Sequence, residues 1–253
     1  MSELDLSGVR IAVTRPPARS ESLVELLREL GSEVQIIPLI ETKPPDDDGR
    51  AFTEAWETRD RYDWIAFTSA SSVPIVAAAL VDARLPDMVK IAAVGPATAS
   101  ALEEISVEVT LTGGGPGGRG LGEQIAKSAR PGALLVINAQ EGRNDLAEVL
   151  TRRGWRVHVV PGYATHAVEP SEQQRSELMG SQVVIVASPS TVRSYVSSVG
   201  SDFVAQTEQT IVAIGETTGD EASNQGFAHV VVASTPDDDG LLEAVGRAVL
   251  EKR

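Results

Sequence analysis

Two short turns rich in serine and threonine have the composition to hold anions. "TSASSV" supplies Ser69, Ser71 and Ser72, and "ASPSTV" supplies Ser188, Ser190 and Thr191. Hydroxyls and free N–H groups gathered ahead of a helix suit carboxylate oxygens. The same residues are also ordinary helix N-caps, and one turn can do both. A serine nucleophile does not fit: "TSASS" is not G-x-S-x-G, and no histidine is arranged as its base. Arg15, in "TRP" at a strand end, offers a planar fork to a carboxylate, or else stands solvated before a turn. Arg19 shares that loop and both readings. Arg143, in "AQEGRNDL", sits in a similar turn ahead of a helix that Asn144 or Asp145 would cap.

Tyr163 lies in "VVPGYATH" and is one of 3 tyrosines. A phenol, with a reference pKa of about 10, stays protonated at neutral pH and suits proton delivery to a poor leaving group. The competing role is an aromatic wedge between lobes. His166 is a rival acid, although a lone histidine is more often exposed or structural. Gly95-Pro96-Ala97-Thr98 and Gly215-Glu216-Thr217-Thr218 read as strand-to-helix turns that need close backbone approach. Their threonines would bond either a ligand or their own first helical turn. Neither is G-x-G-x-x-G. "GGGPGGRG" at Gly113–Gly120 lacks the G-K-[ST] ending of a phosphate loop and reads as a flexible linker.

The elements that must position these residues alternate between β-branched runs and amphipathic stretches. Strands are expected at Arg10–Thr14, Glu33–Thr42, Asp63–Thr68, Lys90–Val94 and Val107–Leu111. Helices are expected at Ser20–Leu30, ended by Gly31, at Val73–Leu80 and at Ala97–Glu104, with a break over Pro44–Gly49. This order predicts an α/β fold with largely parallel sheets flanked by helices.

The second half repeats the first. Leu23, Gly31 and Pro38 match Leu146, Gly154 and Pro161, each 123 residues on. Ser69 matches Ser188 at 119, while Gly95, Thr98, Pro116 and Leu121 match Gly215, Thr218, Pro236 and Leu241 at 120. The internal duplication implies two similar lobes with a crevice between them. Ligands of open parallel sheets lie outside the carboxyl ends of the strands, where the repeated turns fall.

Charge and composition exclude several classes. With 22 basic and 36 acidic residues the net charge is −14. That opposes binding nucleic acid through bulk charge, or adhesion to an anionic membrane. No apolar run of about 18 residues is present. Met1–Ser7 is polar and acidic, unlike a secretory signal, so the cytoplasm is the expected compartment. The absence of cysteine removes disulfides, thiolate metal sites and cysteine nucleophiles. His158, His166 and His229 form no metal-spaced pair.

"AVTRP", "DWIAFTSASSV", "AVGPATASAL", "GWRVHVVPGYAT" and "AIGETT" occur in an order and spacing that resembles the uroporphyrinogen-III synthase family, over about Val9 to Leu250. Two places depart from the pattern: Ile105-Ser106 replaces a glycine, and Gly219-Asp220 stands where a small apolar residue is usual. The resemblance implies two α/β lobes joined by extended connectors at 36–43 and 160–168. One lobe would be discontinuous, 1–35 plus 169–253, and the other would span 44–159. It implies a cyclising hydro-lyase that closes hydroxymethylbilane to uroporphyrinogen III, with inversion of the last ring and loss of water. Tyr163 would be catalytic. Arg15, Ser69, Ser71, Thr98, Arg143, Ser188, Ser190, Thr191 and Thr218 would bind substrate. No metal or cofactor is implied; a monomer with transient contact to the preceding pathway enzyme is. The alternative is an inactive two-lobed binding or sensory module for a polycarboxylate or nucleotide.

Overall fold

A computed structural model describes residues 4–17, 20–81, 85–115 and 117–251. Arg19 and Pro116 lie outside the described residues. The chain divides into two compact units, Met1–Glu41 with His166–Arg253, and Thr42–Thr165.

The first unit is built on a five-stranded sheet: β1 (Arg10–Val13), β2 (Glu33–Ile36), β9 (Val183–Val186), β10 (Thr210–Ala213) and β11 (His229–Val232). Their order is β11-β10-β9-β1-β2, and every pairing is parallel. Four-residue runs such as "VVIV" in β9 are buried on both faces, as a covered parallel sheet requires. One face packs on α1 (Glu21–Glu29) and α11 (Asp238–Leu250), through Leu23, Leu27, Leu241 and Val245 against Ile11, Val13 and Ile185. The other face packs on α7 (Glu172–Gly180), α8 (Pro189–Val199), α9 (Ser201–Val204) and α10 (Glu216–Asn224), through Leu178, Val192, Tyr195, Val204 and Ala222. Each such fully buried aliphatic side chain contributes about 1.5–3 kcal/mol before entropy is charged against it.

The second unit is built on β3 (Ile40–Lys43), β4 (Trp64–Phe67), β5 (Lys90–Ala93), β6 (Leu111–Thr112), β7 (Ala133–Ala139) and β8 (Arg156–Ala167), ordered β3-β8-β7-β4-β5-β6, with β3 and β8 each running two residues past its boundary. Its helices are α2 (Arg50–Glu57), α3 (Val73–Leu80), α4 (Pro96–Glu104), α5 (Gly117–Ser128) and α6 (Asp145–Thr151). Phe52, Val76 and Leu102 cover one face of the sheet, and Leu121, Ile125, Leu146 and Leu150 cover the other.

The duplication is visible in the strand orders. Under the sequence repeat, β8-β7-β4-β5-β6 corresponds strand for strand to β2-β1-β9-β10-β11. The cores therefore come from one pattern used twice, with the strands of the first unit drawn from both ends of the chain.

Three sequence expectations are corrected. The extended run Glu33–Thr42 is two strands in different sheets. Pro38 has no N–H for a ladder, and the buried Ile37 and Leu39 donate instead to Val13 and Thr14 carbonyls. The expected strand Val107–Leu111 is reduced to Leu111–Thr112. Ser106 adopts φ +62, its N–H meets the Glu103 carbonyl and the Val107 N–H meets Leu102, which is a Schellman end to α4. Val107 is thereby pulled into the core at 2% exposure instead of pairing. Finally, Gly117–Gly120 is no linker but the first turn of α5. Gly120 in that turn has no room for a side chain, which would lie 2.9 Å from the Gly115 carbonyl carbon, and the next turn packs closely as well, a side chain at Gly122 lying 3.1 Å from Val149.

Candidate active site

Within the second unit, β4, β5, β7 and β8 run parallel, so the turns that follow them collect at one edge of the sheet. After β4, Ser69 is extended and its hydroxyl accepts the Ser71 N–H at 3.1 Å, starting a 3₁₀ turn over Ala70–Ser72. Ser72 is buried, and its hydroxyl donates to the Ser69 carbonyl at 2.6 Å. After β5, Gly95 caps α4, and Thr98 in the first turn is only 4% exposed.

Sequence reasoning missed the residue that organises the turn after β7. Asn138 is buried, and its carbonyl oxygen accepts the Thr68 hydroxyl at 2.7 Å and the Ala139 N–H at 2.9 Å. Its amide donates to the Arg143 carbonyl at 2.9 Å. One side chain thus joins the end of β4 to the loop that carries Arg143. The Arg143 guanidinium is exposed and pairs with Asp145 at 2.7 Å. Asn144 occupies the N-cap position of α6, but no side-chain cap bond forms.

Tyr163 stands on a β-bulge. Asn138 faces Pro161 and Ala139 faces Tyr163, so Gly162 is the extra residue. A side chain on Gly162 would lie 2.6 Å from Ile137 Cγ2 and 3.1 Å from Ser72 Cβ, which requires glycine here. The bulge re-aims the following side chain. Tyr163 is half-buried, and its hydroxyl makes no hydrogen bond to another described residue.

The first unit repeats this edge. Ser188 caps α8, accepting the Thr191 N–H at 3.2 Å, and its oxygen lies 2.8 Å from both the Ser190 and Thr191 hydroxyls. Gly215 caps α10, and Thr218 is 4% exposed. Thr98, Thr191 and Thr218 are therefore buried in the first turns of their helices, and their N–H groups are taken up by the Gly95 carbonyl, the Ser188 hydroxyl and the Gly215 carbonyl. Gly95 and Gly215 correct an expectation. Their φ values, −170 and −174, suit any residue, and an added Cβ would meet nothing within 4 Å among the described residues. No neighbour among the described residues demands close approach there. Gly219 is different, since a side chain would strike Val232 Cγ2 at 2.6 Å.

Arg15 is not solvated. Its side chain is 13% exposed and pairs with Asp238 at 2.8 Å, and its Nε is buried with no partner among the described residues. Asp238 also accepts the Ser22 hydroxyl at 2.7 Å. The neighbouring Asp237 caps α11, and the Gly240 N–H followed by the Thr235 hydroxyl hold its carboxyl below the usual carboxylate value. His158 bonds the Tyr62 hydroxyl at 2.6 Å, and His229 meets Glu208 at 3.1 Å. Among the described residues no cluster of three or more metal-ligating side chains occurs, and no helix is long and apolar enough to cross a membrane.

The family model for uroporphyrinogen-III synthase HemD matches residues 21–243. The chain belongs to the uroporphyrinogen-III synthase family. A porphyrin biosynthesis protein HemD of Ruminiclostridium josui is 29% identical over 255 residues, covering 95% of this chain and 49% of that protein. A chloroplastic uroporphyrinogen-III synthase of Oryza sativa subsp. japonica is 25% identical over 248 residues, covering 94% and 80%. The chain thus spans about half the length of the first relative and four fifths of the second. A mutant uroporphyrinogen III synthase structure from Thermus thermophilus shares the fold, with a TM-score of 0.66 at 17% identity, covering 96% of this chain and 100% of that one. In this family member, Asn138 and the Gly162 bulge were the parts of the site hardest to see in advance. A buried asparagine at a strand end, in "INAQEG", was the one available signal.

Proposed function

We propose that this chain closes hydroxymethylbilane to uroporphyrinogen III as a cyclising hydro-lyase. The observation that carries the reading is the family match, which spans both copies of the repeat and every expected site residue except Arg15. Residues 36–43 and 160–168 serve as the connectors between the two lobes.

The chemistry asks for three things. The terminal hydroxyl must leave with a proton, giving an electron-poor azafulvene. The open chain must be held in the geometry that inverts the last ring, because closure without inversion competes. The substrate's carboxylates must be bound by a protein of net charge −14. Tyr163 is the proton donor of this reading: its hydroxyl is free of protein partners among the described residues and its position is set by the bulge. General acid assistance contributes about two to four orders of magnitude. Holding both chain ends supplies proximity and orientation. Charges more than about 8 Å away are screened at physiological salt, so local donors decide binding. Those donors are the first-turn N–H groups of Ala97 in α4, Ser190 in α8, and Glu216 and Thr217 in α10, since Pro96 and Pro189 carry no N–H, with Arg143 adding charge.

The test is turnover of hydroxymethylbilane scored by product isomer. Uroporphyrinogen III formed faster than the spontaneous reaction is the expected result. Only the non-inverted isomer, at the uncatalysed rate, would overturn the proposal.

A further inference from the structure

We infer that Gln140 is a positioning residue for Tyr163, acting through a clasp with Asp46 that bridges the two neighbours of β8. This rests on the catalytic reading of Tyr163 given above. The observations come from three consecutive strands, β3, β8 and β7. Beyond the bulge the Gln140 N–H donates to the Tyr163 carbonyl at 2.8 Å, adding a bond beyond the last β7 residue. The Gln140 side chain then reaches Asp46, which follows the end of β3. Gln140 Oε1 accepts the Asp46 N–H at 2.7 Å, and Gln140 Nε2 donates to Asp46 Oδ2 at 2.7 Å.

These two residues are 94 apart in sequence, and between them the two bonds use the acceptor and one donor of the Gln140 amide. Gln140 continues β7 and Asp46 follows β3, so their link joins the strands that lie on either side of β8. One residue therefore grips Tyr163 by its carbonyl and ties the flanking loops together. A bulged strand lacks a regular ladder at its extra residue, so outside bonds must fix the direction of the next side chain. A phenol that delivers a proton as a bond breaks needs that direction fixed, since displacement of about 1 Å costs around a hundredfold in rate.

The pair can be broken by one substitution and remade by a second that restores its net charge. Gln140→Glu removes the amide donor and sets two carboxylates against each other. Adding Asp46→Asn remakes the side-chain bond with donor and acceptor exchanged and keeps the backbone bond in its original direction, because the new carboxylate at position 140 accepts from both the backbone N–H and the side-chain amide at position 46. In Gln140→Glu we expect kcat to fall about tenfold with KM little changed. The Gln140→Glu/Asp46→Asn double variant should recover wild-type kcat. In a Tyr163→Phe background Gln140→Glu should have no further effect. Amide exchange at residue 140 should quicken in the single variant and recover in the double. Tyr163→Phe with lowered turnover, but Gln140→Glu with unchanged kcat or an equal loss in both backgrounds, would overturn the positioning role alone. Unchanged turnover in Tyr163→Phe would overturn the catalytic reading beneath it as well.

Discussion

Arg15 and Asp238 lie 223 residues apart in the chain, yet their side chains pair at 2.8 Å, fastening the loop after β1 to the first turn of α11. Ser22 holds the second carboxylate oxygen at 2.7 Å. The guanidinium is mostly buried, so loss of its partner leaves a charge poorly compensated. Asp238→Ala should destabilise the protein by about 2–3 kcal/mol, below the full figure for a buried pair because Asp238 is 29% exposed. Urea unfolding of the single variant checks this. The Arg15→Met/Asp238→Leu pair should lose less than Asp238→Ala alone.

Tyr163→Phe keeps the ring and removes the proton. Turnover should fall by more than about tenfold while product affinity stays nearly constant, because the missing interaction matters as the C–O bond breaks. Steady-state kinetics together with product titration separate the two quantities. Equal losses of turnover and stability would identify a hydroxyl that holds the fold instead.

Gly95 and Gly215 face open space with ordinary extended backbone. Serine is a good N-cap, so Gly95→Ser and Gly215→Ser should leave stability within about 0.5 kcal/mol or raise it. If substrate oxygens reach the first-turn N–H groups that follow them, Ala97 after Gly95 and Glu216 or Thr217 after Gly215, the added side chain displaces about one hydrogen bond's worth of binding, and KM rises about fivefold. Thermal denaturation and KM measured on the same preparations decide it; unchanged KM would place the substrate elsewhere.

Much of the architecture was legible. The repeat placed Ser69 with Ser188 and Gly95 with Gly215, and both pairs occupy matching turns with closely similar dihedrals. What escaped was tertiary. The run through Pro38 keeps its apolar pattern, so nothing local shows that Glu33–Ile36 and Ile40–Lys43 join different sheets. Glycine-rich "GGRG" argues against helix until the close approach of Gly118 to Leu146 and of Gly120 to Gly115 is known. Asn138 and Gln140 act through Thr68 and Asp46, which are 70 and 94 residues away, and sequence pattern does not record such separations.

Ser106 carries a side chain at φ +62, while its repeat partner Gly226 takes φ +99 at the end of α10. Left-handed backbone costs an L-residue about 1–2 kcal/mol. Glycine removes that strain but adds about 0.4–1 kcal/mol of unfolded-state entropy. Ser106→Gly should therefore stabilise by about 0.5–1 kcal/mol net. A shift of the urea midpoint upward with unchanged slope would confirm it, and a shift downward would show that the hydroxyl matters more than the strain.

Asp237 links acid stability to one helix cap. Its carboxylate accepts the Gly240 N–H and the Thr235 hydroxyl, each at 2.8 Å, and the Gly240 bond is the main reason its folded pKa lies below the ordinary 3.8. Because the folded value is lowered, the contribution is complete above the unfolded pKa and disappears as pH falls through the folded one. Asp237→Ala should lower Tm at pH 7, where the charge is fully present at the N-terminus of α11. Asp237→Asn keeps a side-chain acceptor but no charge, so its deficit relative to wild type should be small, level above about pH 5, and shrinking below about pH 4. Thermal melts of the three proteins from about pH 3 to about pH 7 test the sign. A deficit of Asp237→Asn that widens as pH falls would show that the carboxylate is not stabilised by the fold.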